Sequence, residues 1–483
     1  MNKRLITAED LYEINVITAC QMSPDGETIV YAVQTVDKDS EKKFCHLWRI
    51  PVEGGHPQQL TFGKHNNTMP KWSPDGNWIA FLSNRQNEKQ SQVFLLPIGG
   101  GEAQPVTDLK GDIGDYAWSP DSTKIVIQFR QQDQEDVDML EDDKKKELGR
   151  VYRRIKDRVF FKLDAYGYLP KARFHLWMLD IHSKEIQQIT DSEIHNEVGP
   201  AWSPDGKSIA FFSNRTEQPD LHLGKTDLFL FDQETGLEKK INTPEGYKTQ
   251  ARFSPDGKKI AYLGQEGLKK DYKNIELFVV DWQGETIARS LTAKFDFDVG
   301  GGVLNDTGSV INTSPIWSPD GKDLYFQIGR HGRTSLHKIG VDSDRLVSLL
   351  EFDGVVSSFT IDKAGDHVAY IHGTMFDPCQ IAVFDLNTKV QQVLTQINYS
   401  LLDQWDLGSL EEVWFKGSDD NDLQGWILKP PDFDPNKKYP SILEIHGGPM
   451  AQYGYFFMHE FFYLAAQGYV VYFCNPRGGA GYG

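Results

Sequence analysis

Apolar and polar residues alternate in short runs along most of the chain. Two such runs are "KSIAFFS" at 207–213 and "KKIAYLG" at 258–264. A period of two places successive side chains on opposite faces, so each run predicts a half-buried β-strand. A tight turn precedes each run, because Ser, Pro, Asp and Gly suit positions i to i+3 of a type I turn. Each turn with its flanking residues therefore predicts a β-hairpin.

This hairpin recurs along the chain. Its turn reads "MSPDG" from Met22, "WSPDG" from Trp72, "WSPDS" from Trp118, "WSPDG" from Trp202, "FSPDG" from Phe253, "WSPDG" from Trp317 and, in a worn form, "IDKAGD" from Ile361. A second hairpin follows each first one, as in "HLWMLDIHSKEIQQIT" at 175–190. One unit is thus four strands in about 45 to 50 residues, a spacing typical of propeller blades.

Seven such units fill residues 17–396, and we predict an all-β seven-bladed β-propeller for them. A four-stranded blade cannot bury both of its faces alone, and radial stacking solves that problem. The Trp or Phe of each turn is expected to pack between sheets. Each blade is one contiguous unit, so the first and last blades would be held together by packing alone.

The pattern changes near residue 397. The stretch "YPSILEIHGG" at 439–448 is a nearly continuous apolar run, as expected of a strand covered on both faces. The stretch "MHEFFYLAAQGYVVYFCNPRGGAGYG" at 458–483 predicts a helix, a buried strand and a Gly-rich loop. Strand, helix and strand in this order indicate the beginning of an α/β domain.

Composition narrows the function classes. The formal charge is −18 over 483 residues, which disfavours nucleic-acid binding because an acidic surface repels phosphates. The four cysteines, Cys20, Cys45, Cys379 and Cys474, are far apart, so neither a disulfide framework nor a zinc site is indicated. The chain shows no secretory h-region and no run of about 18 apolar residues, which predicts a cytoplasmic protein that does not enter a membrane. No cofactor or metal is expected.

One short segment carries candidate chemistry. His446, Gly447, Gly448 and Pro449 follow the apolar run directly. Adjacent glycines let the backbone approach a ligand and direct N–H groups at it, as half of an oxyanion hole would. A hole of that kind serves a nucleophile, yet no G-x-S-x-G elbow occurs in residues 1–483.

Together, the "SPDG" hairpins, "HGGP" and "NPRGGAGYG" resemble the prolyl oligopeptidase family of serine peptidases (S9), most closely its acylaminoacyl-peptidase and dipeptidyl-peptidase branch. The resemblance spans the whole chain. It implies an N-terminal helix at 1–16 that packs on a hydrolase domain, a propeller at 17–396, and the first part of an α/β-hydrolase domain at 397–483. It also implies hydrolysis of short peptides at a Ser–His–Asp site to which the propeller restricts access.

The resemblance assigns Gly448 as one of two oxyanion donors and Gly447 and Pro449 as parts of the supporting loop. His446 replaces a Tyr found in other branches, and it either braces the loop or contacts the site from behind. In the resembled family Ser, Asp and His all follow the "GYG" segment. The chain is therefore expected to be a C-terminally truncated peptidase, inactive alone, that forms a homo-oligomer or pairs with a complementing hydrolase chain.

Three further sequence features can be explained by structure alone, without a catalytic role. Thr7 with Asp10 predicts a capping box at the start of a helix. The sequence Asp306-Thr307-Gly308 matches the aspartic protease tripeptide, but a single copy cannot supply the two carboxylates needed. The long insertion at 130–174 is either a solvated loop or a projection that shapes a substrate path.

A second function class stays open at this point. The propeller could act as a binding or interaction module beside a vestigial hydrolase stub. The well-kept glycines and buried runs of residues 397–483 favour the peptidase hypothesis. We also expect an exposed sheet edge in this stub, which would make the isolated chain poorly soluble or its C-terminal region mobile.

Overall fold

The computed structural model describes residues 3–133, 158–164, 166–268, 272–308, 314–448 and 450–482. The chain divides into two compact units. The first unit comprises Met1–Trp72, Tyr272–Glu276 and Leu291–Gly483, and the second comprises Ser73–Asp271 and Leu277–Ser290. Among the described residues, no helix has the length and apolar character needed to cross a membrane.

Strands are the main regular secondary structure of the described residues. From the N-terminus they are β1 (Arg4–Leu5), β2 (Val16–Met22), β3 (Thr28–Asp37), β4 (Lys42–Pro51), β5 (Gln58–Gln59), β6 (Asn67–Trp72), β7 (Trp78–Ser83), β8 (Gln92–Pro97), β9 (Gln104–Pro105), β10 (Gly111–Trp118), β11 (Lys124–Gln131), β12 (Lys162–Leu163), β13 (Gly167–Tyr168), β14 (His175–Asp180), β15 (Ile186–Gln188), β16 (Glu197–Trp202), β17 (Ser208–Ser213), β18 (Asp227–Asp232) and β19 (Glu238–Lys240). They continue as β20 (Lys248–Phe253), β21 (Lys259–Gly264), β22 (Glu276–Asp281), β23 (Arg289–Ser290), β24 (Asp298–Val299), β25 (Ile316–Trp317), β26 (Asp323–Arg330), β27 (Arg333–Gly340), β28 (Leu346–Leu350), β29 (Val355–Ile361), β30 (His367–Thr374), β31 (Asp377–Asp385), β32 (Gln391–Val393), β33 (Trp405–Asp406), β34 (Ser409–Lys416), β35 (Asp422–Lys429), β36 (Ser441–Glu444) and β37 (Val470–Cys474).

The described helices are short. Two are 3₁₀ helices, at Ala8–Tyr12 and Pro219–Leu221. Two are α-helices, α1 (Tyr399–Leu402) and α2 (His459–Ala466). The helix predicted at the N-terminus is therefore a single 3₁₀ segment.

Antiparallel sheets repeat along the second unit. One sheet contains β10, β11, β14 and β15, the next contains β16 to β19, and a third contains β20 to β23, while β7, β8 and β9 pair in order. Each sheet takes its strands from one contiguous stretch of chain, as the repeat predicts. Neighbouring sheets share apolar cores, for example where Val126 packs with Phe211 and Phe229. The described structure is thus an all-β, propeller-like fold.

The first unit contains four groups of strands that pair among themselves, the smallest being the parallel pair β1–β33. Strands β2 to β5 form a four-stranded antiparallel sheet. Strands β24 to β32 form two antiparallel groups that are joined by one parallel pair, Thr334 with Val355. The remaining sheet has the order β34, β35, β37, β36, with β36 and β37 parallel and α2 between them in sequence. The strand–helix–strand order predicted for 439–474 is confirmed.

The "SPDG" turns share one hydrogen-bond pattern, which the copy after Trp72 illustrates. The hydroxyl of Ser73 accepts the N–H of Trp78 at 3.0 Å, and the N–H of Gly76 donates to the Ser73 carbonyl at 2.9 Å. Gly76 has φ of +74°, in the left-handed region that favours glycine. The serine hydroxyl therefore takes the place of a backbone acceptor at the start of the second strand, and the predicted turn is confirmed.

Tryptophans of the turns connect neighbouring sheets. In the second unit the indole N–H of Trp202 donates to the carbonyl of Ala117 on β10 at 3.0 Å. The predicted position between sheets is confirmed for this residue. A half-buried Trp that also satisfies its N–H contributes apolar contact without an unpaired donor.

A threonine closes the second hairpin of several units. The hydroxyls of Thr61, Thr107, Thr190 and Thr395 each accept a backbone N–H from the third strand of their sheet at 2.9 Å. These are the threonines at the end of the second sequence element. The bond ties the residues just after the fourth strand to the third strand, where the pairing of these two strands stops.

The first antiparallel sheet packs against the last one through side chains. Ile29 and Tyr31 share a buried cluster with Ile371 and Ile381. In the described part of the chain, strands β2 to β5 do not pair with strands β29 to β32. Polar contacts also cross the junction, since the backbone N–H of Ile17 donates to Cys379 Sγ at 3.1 Å and that of Met22 donates to Thr360 Oγ1 at 3.0 Å. Burial raises the pKa of the Cys379 thiol to about 12, so it stays protonated.

The expectation of a doubly covered strand at 439–448 is wrong for β36. Leu443 is 54% exposed and Ile445 is 72% exposed. The physical reason is that β36 lies at the edge of its sheet and, among the described residues, pairs only with β37. Its partner β37 contributes fully buried Val471 and Phe473 to the core.

The left-handed glycines of the turns give a stability prediction. Replacing Gly76 with Ala should lower the free energy of unfolding by about 1 kcal/mol, because an L-residue is strained at this φ. A Cβ at Gly76 would meet no atom within 4 Å, so only backbone strain changes. Gly99→Ala is the matched control, since that position is equally open and lacks a left-handed φ. Urea unfolding that ranks the two variants equally would contradict the strain argument.

Candidate active-site loop

The loop after β36 places two glycines at the surface. Gly448 has φ of +127°, and a Cβ there would lie 2.8 Å from the backbone nitrogen of Met450. Gly447 has open space around it. Within the described ranges, the N–H groups of Gly447 and Gly448 donate to no protein acceptor. The loop thus offers unpaired backbone donors, while Pro449 lies outside the described residues.

His446 is buried directly behind these donors. Its Nδ1 lies 2.9 Å from the carbonyl of Gly447, so Nδ1 carries the proton and donates. Its ring packs edge-on against Tyr453 with 5.1 Å between centroids. Its Nε2 is buried without a partner among the described residues. This geometry fits a side chain that braces the loop from behind.

Gln452 fastens the far end of the loop. Its backbone N–H donates to Gly302 O at 2.9 Å, and its carbonyl accepts the N–H of Leu304 at 2.8 Å. Its fully buried side chain accepts the N–H of Gly332 through Oε1 at 2.9 Å. Three hydrogen bonds therefore attach this one residue to the segment after β24 and to the β26–β27 turn.

A second clamp joins the loop to the Gly-rich segment at 475–482. The side chain of Asn475 accepts the Tyr453 N–H at 2.7 Å and donates to the Tyr453 carbonyl at 2.9 Å. The same amide nitrogen donates to the hydroxyl of Tyr482 at 2.8 Å, and that hydroxyl bonds to Gln424. Asn475 thus satisfies both backbone groups of one residue in the interior.

The polar network continues through Gln424 to the half-buried carboxylate of Glu412. Glu412 accepts hydrogen bonds from Gln424 at 2.7 Å, from Trp414 at 2.7 Å and from the Tyr455 hydroxyl. Burial alone would raise the pKa of Glu412, but the Tyr455, Trp414 and Gln424 donors hold it below its usual value. Arg333 lies 3.5 Å from this carboxylate.

The N-terminal segment contacts the same region. The predicted capping box is confirmed, since Thr7 N–H donates to Asp10 at 2.7 Å and the Thr7 hydroxyl donates to the same carboxylate at 3.0 Å. His459 Nε2 bonds to the Thr7 carbonyl at 2.9 Å. Ile6 and Ile14 pack into the core that Phe461 of α2 also enters.

Asp306 has a structural role that sequence reasoning missed. Its Oδ1 accepts the N–H of His459 at 2.8 Å, and its Oδ2 accepts the N–H of Glu460 at 2.7 Å. The carboxylate therefore caps α2, whose own preceding residue supplies no side-chain cap. The described residues contain no cluster of His, Cys, Asp or Glu suited to a metal ion.

Relatives of known class match this chain over its whole length. It is 30% identical to the uncharacterised peptidase YuxL of Bacillus subtilis, over 100% of this chain and 72% of that protein. It is 28% identical to dipeptidyl-peptidase 5 of Porphyromonas gingivalis, over 99% of this chain and 69% of that protein. The TolB β-propeller domain family matches residues 11–151 and 222–404.

The chain belongs to the family of peptidases that carry a TolB-type β-propeller.

A solved structure resembles the fold closely. The acylaminoacyl peptidase of Pyrococcus horikoshii superposes with a TM-score of 0.78, over 99% of this chain and 67% of that protein, at 20% identity. At this identity the likeness concerns the fold. The candidate loop, with its unpaired N–H donors, follows directly after β36, which is one strand of the parallel pair β36–β37.

The cap on α2 yields a prediction. Asp306→Ala removes two hydrogen bonds from the helix start and should lower the free energy of unfolding by about 1 kcal/mol. Amide exchange at 459 and 460 should accelerate. Asp306→Asn keeps an acceptor and should lose less. If both variants matched the wild type in exchange at these two amides, the capping role would be refuted.

The Arg4–Asp10 pair yields a pH prediction. Burial would raise the pKa of Asp10, but hydrogen bonds from Arg4 and Thr7 lower it from 3.8 to about 2. A carboxylate with a lowered folded-state pKa stabilises the fold above its unfolded pKa and loses that effect as pH falls. The stability difference between wild type and Asp10→Asn should therefore shrink between about pH 4 and pH 2. A difference that is constant with pH in urea titrations would contradict this.

Proposed function

We propose that this chain is the N-terminal portion of a serine peptidase that hydrolyses short peptides, of the acylaminoacyl- or dipeptidyl-peptidase type. The observation that carries the proposal is the Gly448 backbone N–H, which is unpaired within the described structure and held at a left-handed φ. A preorganised N–H donor of this kind stabilises the oxyanion of acyl transfer. Acylaminoacyl peptidase and dipeptidyl-peptidase relatives support the substrate class.

The propeller would control access to the site. We propose that seven four-stranded units at 17–396 form the ring, and that 397–483 is the first part of an α/β-hydrolase domain on which the N-terminal segment packs. The contiguous sheets and the parallel pair β36–β37 support this division. A ring of this kind would exclude large proteins and admit short peptides.

The nucleophile, acid and base would come from outside residues 1–483. Support comes from the missing G-x-S-x-G elbow in this sequence. In the proposed enzyme Ser attacks the acyl carbon, His takes the Ser proton and returns it to the leaving amine, and Asp orients His. Gly448 would donate one hydrogen bond to the oxyanion, and His446 would hold the Gly447 carbonyl.

Labelling tests the absence of the nucleophile. A fluorophosphonate probe should leave purified residues 1–483 unlabelled, because no activated serine is expected in them. Co-expression with the C-terminal segment of YuxL, taken from just past the aligned region, should create a labelled complex. Labelling of the isolated chain would show that the active serine lies within it.

Two glycine variants test the oxyanion role in that complemented enzyme. Gly448→Ala should lower kcat by about 100-fold or more, since the Cβ would displace the loop and remove one donor. Gly447→Ala is the matched control, because the same Cβ meets no atom there. Equal activity of both variants would reject Gly448 as the donor. A complex that binds peptides yet never hydrolyses them would favour the binding-module alternative.

A further inference from the structure

A cavity in the first unit lies at the β26–β27 hairpin. Its volume is about 350 Å³, within the range of sites for small ligands. Phe297, Ile328 and Leu346 give it an apolar wall. The candidate loop at 446–448 contributes nothing to its lining. The cavity therefore shares no lining residue with the proposed oxyanion site.

Two charged side chains of the lining could still form ion pairs or hydrogen bonds with a ligand. Arg330 is exposed and has neither an ion-pair nor a hydrogen-bond partner for its guanidinium within the described parts of the chain. Arg333, three positions on, is instead paired with Asp353 at 2.8 Å. Glu351 is also exposed, and within the described ranges its carboxylate accepts only a long 3.4 Å hydrogen bond from the Ser348 hydroxyl. An unpaired guanidinium, that of Arg330, and a weakly bonded carboxylate, that of Glu351, thus line the same cavity, and no ion pair joins them among the described residues.

Two buried polar groups lie in the lining as well. Ser335 and His337 are 7% and 8% exposed, and Ser335 Oγ is 3.4 Å from His337 Nδ1. Burial lowers the pKa of His337, so its ring is neutral at pH 7 and can both donate and accept. A ligand amide could therefore find a donor and an acceptor beside the apolar wall.

We propose that this cavity binds a free amino acid or short peptide as a zwitterion. The carboxylate would pair with Arg330, the ammonium group would pair with Glu351, and an apolar side chain would lie against the wall at Phe297. A guanidinium suits a carboxylate because it can donate two parallel hydrogen bonds. The proposal needs no nucleophile, so it does not depend on the peptidase function proposed above.

Direct binding to the full chain tests the proposal. The probes are the dipeptide Gly-Phe, its C-terminal amide and its N-acetyl form, titrated by calorimetry. Gly-Phe should bind, and blocking either terminus should weaken binding about tenfold, the equivalent of one charged contact at roughly 1.4 kcal/mol. Equal affinity for all three probes would refute zwitterion recognition, as would no saturation of Gly-Phe up to about 10 mM.

Variants assign the two charges. Arg330→Gln should abolish the preference for Gly-Phe over its amide, and Glu351→Gln should abolish the preference over the N-acetyl form. Arg345→Gln is the matched control, an exposed arginine on the β27–β28 connection outside the lining. It should keep both preferences. Circular dichroism verifies folding of each variant, and an Arg330→Gln protein that behaves like Arg345→Gln would overturn the assignment.

Discussion

Two glycines that touch through their backbones position the candidate site. The β26–β27 turn has left-handed residues at His331 and Gly332, with φ of +50° and +70°. A Cβ on Gly454 would lie 2.0 Å from the Gly332 carbonyl oxygen, so no side chain fits between this turn and the loop that contains Gly454. The same carbonyl accepts the Tyr455 N–H at 2.9 Å. Because the approach is so close, the hairpin sets the position of 452–455, and with it the loop that begins at His446.

Hydrogen bonds therefore fix the loop on its interior side, while its N–H donors take no part in these bonds. Gln452, Asn475 and His446 satisfy the backbone groups around the loop, so its interior face is rigid. The N–H groups of Gly447 and Gly448 remain outside this network. Preorganised donors cost no rearrangement when charge develops on a substrate, which is the property that an oxyanion site requires. The polar network therefore serves the donors indirectly, by fixing the backbone that carries them.

Much of the fold could be predicted because it depends on local chemistry. The "SPDG" turns and alternating runs encode their hairpins within a few residues, as Ser73 and Gly76 show. The roles of Asp306 and Gln452 could not be predicted, since their partners lie about 150 and 120 residues away in sequence. The exposure of β36 differs from the prediction for a related reason. An apolar run such as 441–445 indicates what a strand would bury, whereas the number of its neighbours is set by tertiary pairing.

The exposed edge strand β36 lies directly beside the candidate donors. Leu443 and Ile445 leave apolar surface in water, at a cost of roughly 25 cal/mol for each Å² that could be buried. Unpaired N–H and C=O groups of an edge strand also favour the addition of further structure. This edge runs directly into Gly447 and Gly448. Any segment that covered this apolar edge would therefore lie beside the N–H groups of Gly447 and Gly448.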